Sequence, residues 1–402
     1  MVIGDQSLRR LPGLTGLRFP LAFAVFLAHA TAFVGPYRGN GPGGILRFMW
    51  PLGYGGVSVF FVLSGFVLTW SARERDTPAA FWRRRIVKIF PVHLVTTMLA
   101  GVLAVAVGIG PFLALTHTPT PIRLDGLISG LFLAQNWIPG RAWQYGLNSV
   151  SWSISCELFF YLAFPLLYRL IGRWSARRLW SGCGIMVAAS LVPPVLANGI
   201  GGEQFGSSPD TSVLGMWVTY VFPPSRLPEF LLGMLLARVC QTNVPPVRLW
   251  HAVLALLAIM GSLQLLSSPF ASSPIYAAGA GLLVLAVARR DLLALPSGFR
   301  SRFMVYWGTR SYSLYLVHLL VIMAATVALF GRHRAVDDLT ATATVFGIFL
   351  PLSAIAACLL YRYVEQPMVQ RFSSPQRAAA STGPSTAGLL PGSGRPDGST
   401  AK

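Results

Sequence analysis

The sequence predicts an all-α polytopic membrane protein with about ten transmembrane helices and both termini in the cytoplasm. Of its 402 residues, 54% are hydrophobic and only 11% are charged, with a mean hydropathy of +0.59. Soluble globular chains are about 25% charged. Several apolar runs reach about 20 residues, which is enough to cross roughly 30 Å of hydrocarbon. These observations disfavour a large soluble all-α protein.

The transmembrane segments follow from the apolar runs, taken in chain order. The predicted spans are residues 17–35, 54–72, 86–110, 150–171, 179–199, 213–239, 249–268, 274–289, 310–330 and 340–363. The apolar piece at 127–138 is too short for an easy crossing, and we interpret it as a re-entrant or interfacial segment. Residues 1–372 form one predicted transmembrane domain. Residues 373–402, rich in Ser, Gly, Pro and Ala, cannot bury a core and predict a disordered cytoplasmic tail.

The charge pattern sets the predicted orientation. A formal net charge of +19 would indicate nucleic acid in a soluble protein, but no basic run is interleaved with aromatic residues outside the apolar segments, so nucleic acid is not expected as a partner. With the N-terminus inside and 127–138 not crossing, most arginines fall on the cytoplasmic side. If 127–138 crossed, the arginine cluster at 169–178 would move outside. We expect a multi-pass protein of the plasma or inner membrane, embedded in the lipid bilayer.

The four cysteines do not indicate a metal or disulfide framework. They are scattered in or beside apolar segments and show no C-x-x-C spacing, so no metal site is predicted. The first apolar segment lacks a convincing small-residue cleavage site, and we interpret it as a retained span.

The first span carries two ionisable residues, Arg18 near its cytoplasmic end and His29 in its outer half. Their separation of about three helical turns places both on one helix face, about 16 Å apart along the axis. Ionisable side chains inside a span are costly and usually mark function. Arg18 could instead snorkel to the interface, and His29 could be a satisfied structural histidine. The shared face favours catalysis or ligand contact.

The segment NSVSWSISCELFFYLAFP contains a polar stripe in which Ser149, Ser153, Glu157 and Tyr161 recur every four residues. Such a repeat lies on one helix face. In the predicted topology Glu157 reaches the same depth as His29, which suits an acid–base pair or an oriented general base. A buried structural pair is the alternative.

Two further segments suggest contacts to a donor. In GGVSVFFVLSGFVLTW, Ser64 precedes Gly65, and small residues let helices or ligands approach closely. Helix packing is an alternative, and no G-x-S-x-G motif supports a serine nucleophile. In FWRRRIVKIFP, Arg85 and Lys88 are i,i+3 neighbours that could bind phosphates. Topogenic charge or lipid headgroup contact is the alternative there.

Two more spans contain polar groups. In FPPSRLPEFLLGM, Arg226 and Glu229 are i,i+3 neighbours at a proline-rich break, and we expect them to pair within the bilayer. Broken helices are tolerated at depth where they line a cavity, so a polar cavity near mid-membrane is expected. In RSYSLYLVHLL, Ser311, Tyr315 and His318 share one face, either as hydrogen-bonding partners between helices or as part of a site.

These segments together resemble the membrane-bound acyltransferase-3 family over residues 9–370. The matching pieces, in family order, are LTGLRFPLAFAVFLAHA, GGVSVFFVLSGFVL, RRRIVKIFP, SWSISCELFFYLAFP, RLPEFLLGMLLA, GTRSYSLYLVHLL and YRYVEQP. The resemblance implies a ten-span fold that moves an acyl group from a donor, generally cytoplasmic acyl-CoA, to an acceptor hydroxyl. The chain is similar to stand-alone members without a soluble esterase-like domain, which include acylases of macrolides and of glycans.

The resemblance also implies roles for particular residues. The family's arginine–ten residues–histidine motif falls on Arg18 and His29. The histidine of this motif is the expected catalytic residue, which is His29 here. The double-arginine motif falls on Arg85 and Lys88. Lys88 departs from the family pattern, which has arginine at this position, and a lysine cannot make the bidentate contact that a guanidinium makes. The tryptophan–serine–glutamate motif falls on the residues of SWSISCE.

The expected site therefore has three parts. The catalytic residues are His29 and Glu157; the donor-binding residues are Arg18, Ser64, Arg85 and Lys88; the acceptor or cavity residues are Trp152, Ser153, Arg226, Glu229, Tyr315 and His318. Acetyl-CoA or another short acyl-CoA is the expected co-substrate, with no tightly bound cofactor and no metal. The expected acceptor is a hydroxyl-bearing small molecule or glycan. The alternative is a transporter or exporter that uses the intramembrane Arg, His and Glu as a proton or substrate path, but no inverted repeat supports it.

Overall fold

The computed structural model describes residues 11–33, 49–73, 76–108, 124–140, 146–204, 212–263, 270, 274–331 and 337–372. Its α-helices are α1 (Pro12–Phe33), α2 (Met49–Trp70), α3 (Pro78–Val107), α4 (Leu124–Leu131), α5 (Trp152–Ile171), α6 (Ala176–Ala189), α7 (Val192–Asn198), α8 (Val213–Met216), α9 (Leu227–Thr242), α10 (Leu249–Leu263), α11 (Ala277–Leu292), α12 (Arg302–Phe330), α13 (Asp338–Thr344), α14 (Leu350–Leu360) and α15 (Gln366–Phe372). Across these residues the only strand-like pairing is a single bridge between Gln204 and Ser212. The predicted all-α fold class is confirmed, while the predicted tail at 373–402 lies outside the described residues.

Seven helical stretches of the described chain are long and apolar enough to cross a membrane. They are Pro12–Ala32, Pro51–Trp70, Pro78–Val107, Ser149–Ile171, Ala176–Asn198, Arg302–Phe330 and Leu339–Phe372. The remaining predicted spans, 213–239, 249–268 and 274–289, coincide with helices that are shorter or interrupted. The number of crossings and the side of each terminus therefore stay predictions.

Pairs of glycines let the central helices cross with their backbones in contact. Where α1 meets α12, a Cβ added to Gly308 would lie 1.9 Å from the Thr15 carbonyl oxygen, and one added to Gly16 would lie 1.9 Å from that of Phe299, in the turn before α12. Where α2 meets α9, a Cβ on Gly65 would lie 2.0 Å, and one on Gly233 1.9 Å, from such an oxygen. Small residues are what allow this close packing in lipid. The two crossings fix α1, α2, α9 and α12 around a common centre.

The segment that leads into α9 is broken, as its prolines predicted. A π-helical turn, Trp217–Val221, and a 3-10 turn, Pro223–Arg226, separate α8 from α9. The break turns Arg226 towards Glu229, with Nε 2.8 Å from Oε2 and Nη2 3.1 Å from Oε1. Both side chains are 0% exposed. The predicted pairing of these two residues is confirmed.

The piece at 127–138 combines the end of a short helix with a 3-10 turn. Its helix α4 has eight residues, about 12 Å of length, which cannot span roughly 30 Å of hydrocarbon. The helix ends before Leu133, whose φ is 58°, and a 3-10 turn, Gln135–Trp137, follows. The Asn136 side chain anchors that turn by donating to the Trp152 carbonyl at 2.7 Å. This geometry agrees with a segment that does not cross.

Candidate active site

A cavity of about 120 Å³ lies between α1, α2, α3, α5 and α12. Its wall includes seven of the predicted site residues: Arg18, Ser64, Arg85, Lys88, Ser153, Glu157 and Tyr315. The structure therefore brings all four predicted donor-binding residues to one wall. The other predicted site residues lie outside the lining of this cavity.

Two arginines give the cavity its positive charge. Within the described part of the chain, neither Arg18 nor Arg85 makes a hydrogen bond or an ion pair. The Arg85 guanidinium lies 5.3 Å from the ring centroid of Phe81 and 5.8 Å from that of Tyr161, and its Nε is buried without a hydrogen-bond partner. A guanidinium fork with unused donors matches phosphate or carboxylate. The wall is thus prepared for an anionic group.

The charge of Lys88 is matched by an ion pair. Lys88 is the residue that departs from the family pattern. Its Nζ forms an ion pair with Glu365, whose side chain is 1% exposed. The same carboxylate accepts a hydrogen bond from Ser313 Oγ at 2.6 Å. Lys88 Nζ also lies 5.6 Å from the ring centroid of Tyr312. The charge of Lys88 is therefore matched by Glu365, and, among the described residues, the donors that stay unused on the cavity lining are those of the two arginines.

Sequence reasoning missed Glu365, although it lies in the segment YRYVEQP. It ends a π-helical turn, Tyr361–Glu365, between α14 and α15. Such turns are frequent at functional sites. An acidic residue at the end of an apolar span was the available signal. Its pairing with Lys88, 277 residues away, could not be derived from local spacing.

Glu157 faces the same cavity. Its Oε2 accepts a hydrogen bond from the hydroxyl of Tyr161 at 3.3 Å, one turn further along α5. This contact agrees with the predicted polar stripe at Glu157 and Tyr161, whereas Ser149 lies in the 3-10 turn Ser149–Ser151 before α5. The charges of Arg18 and Arg85 act on the carboxylate from the neighbouring walls. Glu157 therefore belongs to the charged end of the site.

Tyr315 closes one side of the cavity. Its hydroxyl lies 2.7 Å from Ser153 Oγ, and its ring centroid lies 6.4 Å from that of Phe60, another wall residue. The other side of Tyr315 meets His318, with ring centroids 5.9 Å apart. Tyr315 therefore links the cavity to a pair of histidines.

The histidine pair joins α1 to α12. His29 Nδ1 lies 3.1 Å from His318 Nε2, and the ring centroids are 5.1 Å apart. His318 Nδ1 lies 3.1 Å from the Leu314 carbonyl oxygen. His318 is 1% exposed, whereas His29 is half-buried.

The observed partner of His29 differs from the predicted one. Glu157 was expected to pair with His29, but it lines the cavity together with Arg18 and Arg85, and one ring in contact with His29 is that of His318. The reason is the glycine crossing of α1 and α12, which brings α12 rather than α5 against this face of α1. Orientation by Glu157 stays a prediction, and the geometry favours His318 for that task.

Three other predicted site residues contribute to packing. Trp152 lies between the rings of Phe61 and Tyr220, at centroid distances of 6.2 and 4.3 Å. Arg226 lies over the same two rings, at 5.2 and 5.5 Å, and donates to Ser58 Oγ at 3.1 Å. Aromatic rings therefore pack against Arg226 at the helix break, and the polar cavity expected near mid-membrane there stays a prediction. Neither Trp152, Arg226 nor Glu229 lines the cavity described above.

The described residues contain no group of three or more His, Cys, Asp or Glu side chains that could hold a metal ion. The cysteines of this part of the chain are free thiols, three of them buried.

Comparison with known proteins gives extended matches. The family model described as an acyltransferase domain matches residues 11–362. Acyltransferase MdmB of Streptomyces mycarofaciens is 37% identical over 391 residues, covering 94% of this chain and 96% of that protein. Exopolysaccharide production protein ExoZ of Rhizobium meliloti (strain 1021) is 29% identical over 337 residues, covering 80% and 90%. O-acetyltransferase OatA of Staphylococcus aureus (strain NCTC 8325) is 24% identical over 396 residues, covering 90% of this chain and 58% of that protein. No solved structure matches the chain significantly.

The matched region contains the five helices around the cavity and both members of the histidine pair. Glu365 lies just beyond it. The apolar helices, the order of the motifs and the extent of the family match agree with one another. The chain is a multi-pass membrane protein and belongs to the acyltransferase-3 family.

Proposed function

We propose that the protein is an integral-membrane O-acyltransferase. It moves a short acyl group from cytoplasmic acyl-CoA to a hydroxyl of a carbohydrate or macrolide-type acceptor. The observation that carries the proposal is a cavity whose wall holds two arginines without hydrogen-bond partners in the described chain, next to a histidine pair. The names of two relatives, an acyltransferase and an O-acetyltransferase, support acyl transfer.

The arginines suit the charged end of the donor. CoA carries phosphates at one end and its thioester at the other, so a site for it needs cations and a reactive group separated by a path. Arg18 and Arg85 are the cations in this proposal, because Lys88 is already paired with Glu365. Acyl-CoA enters as a co-substrate, and we propose no tightly bound cofactor.

His29 is the proposed reactive group. It takes the proton of the acceptor hydroxyl while the hydroxyl oxygen bonds to the acyl carbon, and the carbon–sulfur bond of the thioester breaks. The proton then passes to the sulfur, which leaves as the free thiol of CoA. A second possibility is that His29 carries the acyl group briefly before the acceptor takes it. Losing a positioned base costs about 10²–10⁴-fold in rate.

The thioester has to pass Tyr315 to reach His29 from the cavity. Tyr315 is held there by its hydrogen bond to Ser153. A typical intramolecular hydrogen bond contributes about 0.5–1.5 kcal/mol net, so a rotation of Tyr315 that breaks it is energetically accessible. In this proposal Tyr315 moves aside when the donor arm enters. The bacterial plasma membrane, with acyl-CoA on its cytoplasmic face, is the proposed location.

The experiment that tests the proposal uses purified protein in liposomes. Acetyl-, propionyl- and longer acyl-CoAs are supplied with a hydroxyl-bearing sugar or a macrolide, and both free thiol and acylated acceptor are measured. We expect thiol release that depends on the acceptor, with one acyl group transferred for each thiol formed. Movement of the acceptor across the bilayer without consumption of thioester would contradict the proposal and favour the transporter.

A further inference from the structure

The contacts of the histidine pair indicate which ring nitrogens carry protons. His318 Nδ1 lies 3.1 Å from the Leu314 carbonyl oxygen, and a carbonyl can only accept a hydrogen bond. Nδ1 of His318 therefore carries a proton. This bond follows the helix axis within α12, four residues back, so it is set by the helix backbone.

The proton on Nδ1 of His318 also determines which histidine donates the hydrogen bond between the two rings. A neutral imidazole carries one N–H, so with Nδ1 protonated, Nε2 of His318 is an acceptor. A second proton would put a full charge on a side chain that is 1% exposed, and no carboxylate among the described residues contacts it. Burying an unpaired charge is costly. The contact at 3.1 Å to His29 Nδ1 is then a hydrogen bond donated by His29.

This order of protons determines where the lone pair of His29 lies. With Nδ1 donating to His318, Nε2 of neutral His29 bears the lone pair. His29 is half-buried and His318 is buried, so His29 is the member of the pair that a substrate can approach. The hydrogen bond from His318 to the Leu314 carbonyl therefore sets the tautomer of His318, and His318 in turn sets that of His29. As a result, Nε2 of His29 is the basic nitrogen.

We propose that His318 is a positioning residue that holds His29 in the tautomer with a basic Nε2. The inference rests on the proposed acyl transfer and adds to it a residue that does not touch the reacting atoms. During the reaction the hydroxyl proton moves to Nε2 of His29, and the hydrogen bond to His318 stabilises the resulting imidazolium. The same proton then leaves from Nε2 to the thiolate sulfur, which restores the starting tautomer.

The surrounding helices keep this geometry rigid. The α1–α12 crossing at Gly16 and Gly308 fixes the two helices that carry the rings. Around His318, the ring of Phe26 packs edge-on at 6.3 Å and that of Tyr315 lies at 5.9 Å. Among described neighbours of His318, His29 is the titratable group in hydrogen-bond contact, and Tyr315 is the next titratable ring.

Two substitutions separate positioning from packing. His318→Gln keeps an oxygen near the place of Nε2 that can accept from His29, whereas His318→Leu fills the site with an apolar side chain and offers no acceptor. If His318 only packs, the Leu variant should keep a higher kcat than the Gln variant, because the setting is apolar. If His318 positions His29, the Gln variant should keep the higher kcat. We expect His318→Leu to lower kcat by about 10–100-fold, the range for residues that orient a functional histidine, with the KM for acyl-CoA unchanged. His318→Gln should keep most of kcat.

A second readout does not depend on turnover. Nitrogen-15 NMR of histidine-labelled full-length protein in lipid bilayers distinguishes protonated from unprotonated ring nitrogens, and a His29→Asn sample assigns the signals of His29. We expect a protonated Nδ1 and an unprotonated Nε2 for both members of the pair. An unprotonated Nδ1 on either ring, or a Leu variant that is as fast as the Gln variant, overturns the inference. If wild-type protein transfers no acyl group, the proposed function fails, and the NMR result still decides the tautomer.

Discussion

Arg226 and Glu229 form a buried ion pair that is stabilised by its surroundings at several points. Two contacts join the guanidinium to the carboxylate, at 2.8 and 3.1 Å, and a third reaches Ser58. Removing one partner of such a pair leaves an uncompensated buried charge and typically costs 3–5 kcal/mol. We expect Glu229→Ala to lose about that much stability, measured as a large fall in the thermal unfolding midpoint of the detergent-solubilised protein.

The matched control removes both charges. The double variant Arg226→Met with Glu229→Leu should unfold at a higher temperature than Glu229→Ala, because apolar replacement of a whole buried pair is often neutral. Equal thermal unfolding midpoints for the single and the double variant would show that the loss of stability in Glu229→Ala does not come from an unpaired charge on Arg226.

Arg85 and Lys88 are sequence neighbours on α3 that we expect to act differently. Arg85 has unused donors, and Lys88 is neutralised by Glu365. Losing a hydrogen bond to a charged group costs about 1.5–3 kcal/mol, so Arg85→Ala should raise the KM for acyl-CoA by roughly 10–100-fold. Steady-state kinetics in liposomes measures this change.

The control for Arg85 removes the neighbouring pair as a unit. Lys88→Met combined with Glu365→Gln deletes both charges and leaves no buried carboxylate alone, so its KM for acyl-CoA should stay close to that of wild type. If the double variant raised KM as much as Arg85→Ala, Lys88 would be a donor contact despite its ion pair.

At the residue scale, sequence reasoning located the polar groups better than their partners. Helical periodicity placed Ser153, Glu157 and Tyr161 on one stripe, and i,i+3 spacing paired Arg226 with Glu229. Both predictions depend on contacts between residues only three or four positions apart. The pairs His29–His318 and Lys88–Glu365 join residues 289 and 277 positions apart, and local spacing contains no information about such contacts.

Among the helices, the glycine crossings are the most demanding feature of the fold. A Cβ on Gly233 would lie 1.9 Å from the Val62 carbonyl oxygen, so Gly233→Ala forces the backbones of α2 and α9 apart. In contrast, nothing lies within 4 Å of a Cβ on Gly184 in α6. We expect Gly233→Ala to lower the yield of folded, monodisperse protein strongly on size-exclusion chromatography.

Gly184→Ala is the matched control. Alanine is favoured over glycine inside a helix by roughly 0.5–1 kcal/mol, so this variant should elute as wild type does and unfold at the same or a slightly higher temperature. A Gly233→Ala protein as well folded as Gly184→Ala would contradict the close crossing of α2 and α9.

At the element scale, the sequence predicted helices more reliably than their irregularities. Prolines 223, 224 and 228 indicated the break before α9, because proline removes an N–H from the helix. The π-helical turns at Val345–Phe349 and Tyr361–Glu365 are also each followed by a proline, at 351 and 367, but no irregularity was predicted from these two prolines. A proline marks where a helix can be disturbed, but it does not determine whether the result is a π-helical turn or a full break.

For the molecule as a whole, orientation in the bilayer remains a prediction from the arginine pattern. With ten crossings and both termini inside, a green fluorescent protein fused after the C-terminus should fluoresce, and alkaline phosphatase at the same point should be inactive. We expect the reverse for a fusion placed after α1. An active C-terminal phosphatase would require an odd number of crossings and a new assignment of the segments between 213 and 292.

The two ends of the proposed reaction lie in different parts of the molecule. The charged wall with Arg18 and Arg85 belongs to the cavity, while His29 belongs to the α1–α12 contact, and Tyr315 stands between them. Sequence reasoning placed Arg18 and His29 on one helix face and so anticipated this separation. It could not anticipate that Tyr315 closes the path, because that depends on a hydrogen bond between α5 and α12.

The most direct test of the account compares acyl transfer by wild type, His29→Ala and His251→Ala at equal amounts of folded protein in liposomes. His251 lies at the start of α10, exposed and away from the cavity, so its variant controls for the loss of a histidine. We predict that His29→Ala loses about 10²–10⁴-fold in transfer rate while His251→Ala matches wild type. A His29→Ala protein that keeps more than about a tenth of the wild-type rate would contradict the central claim that His29 is the reactive group.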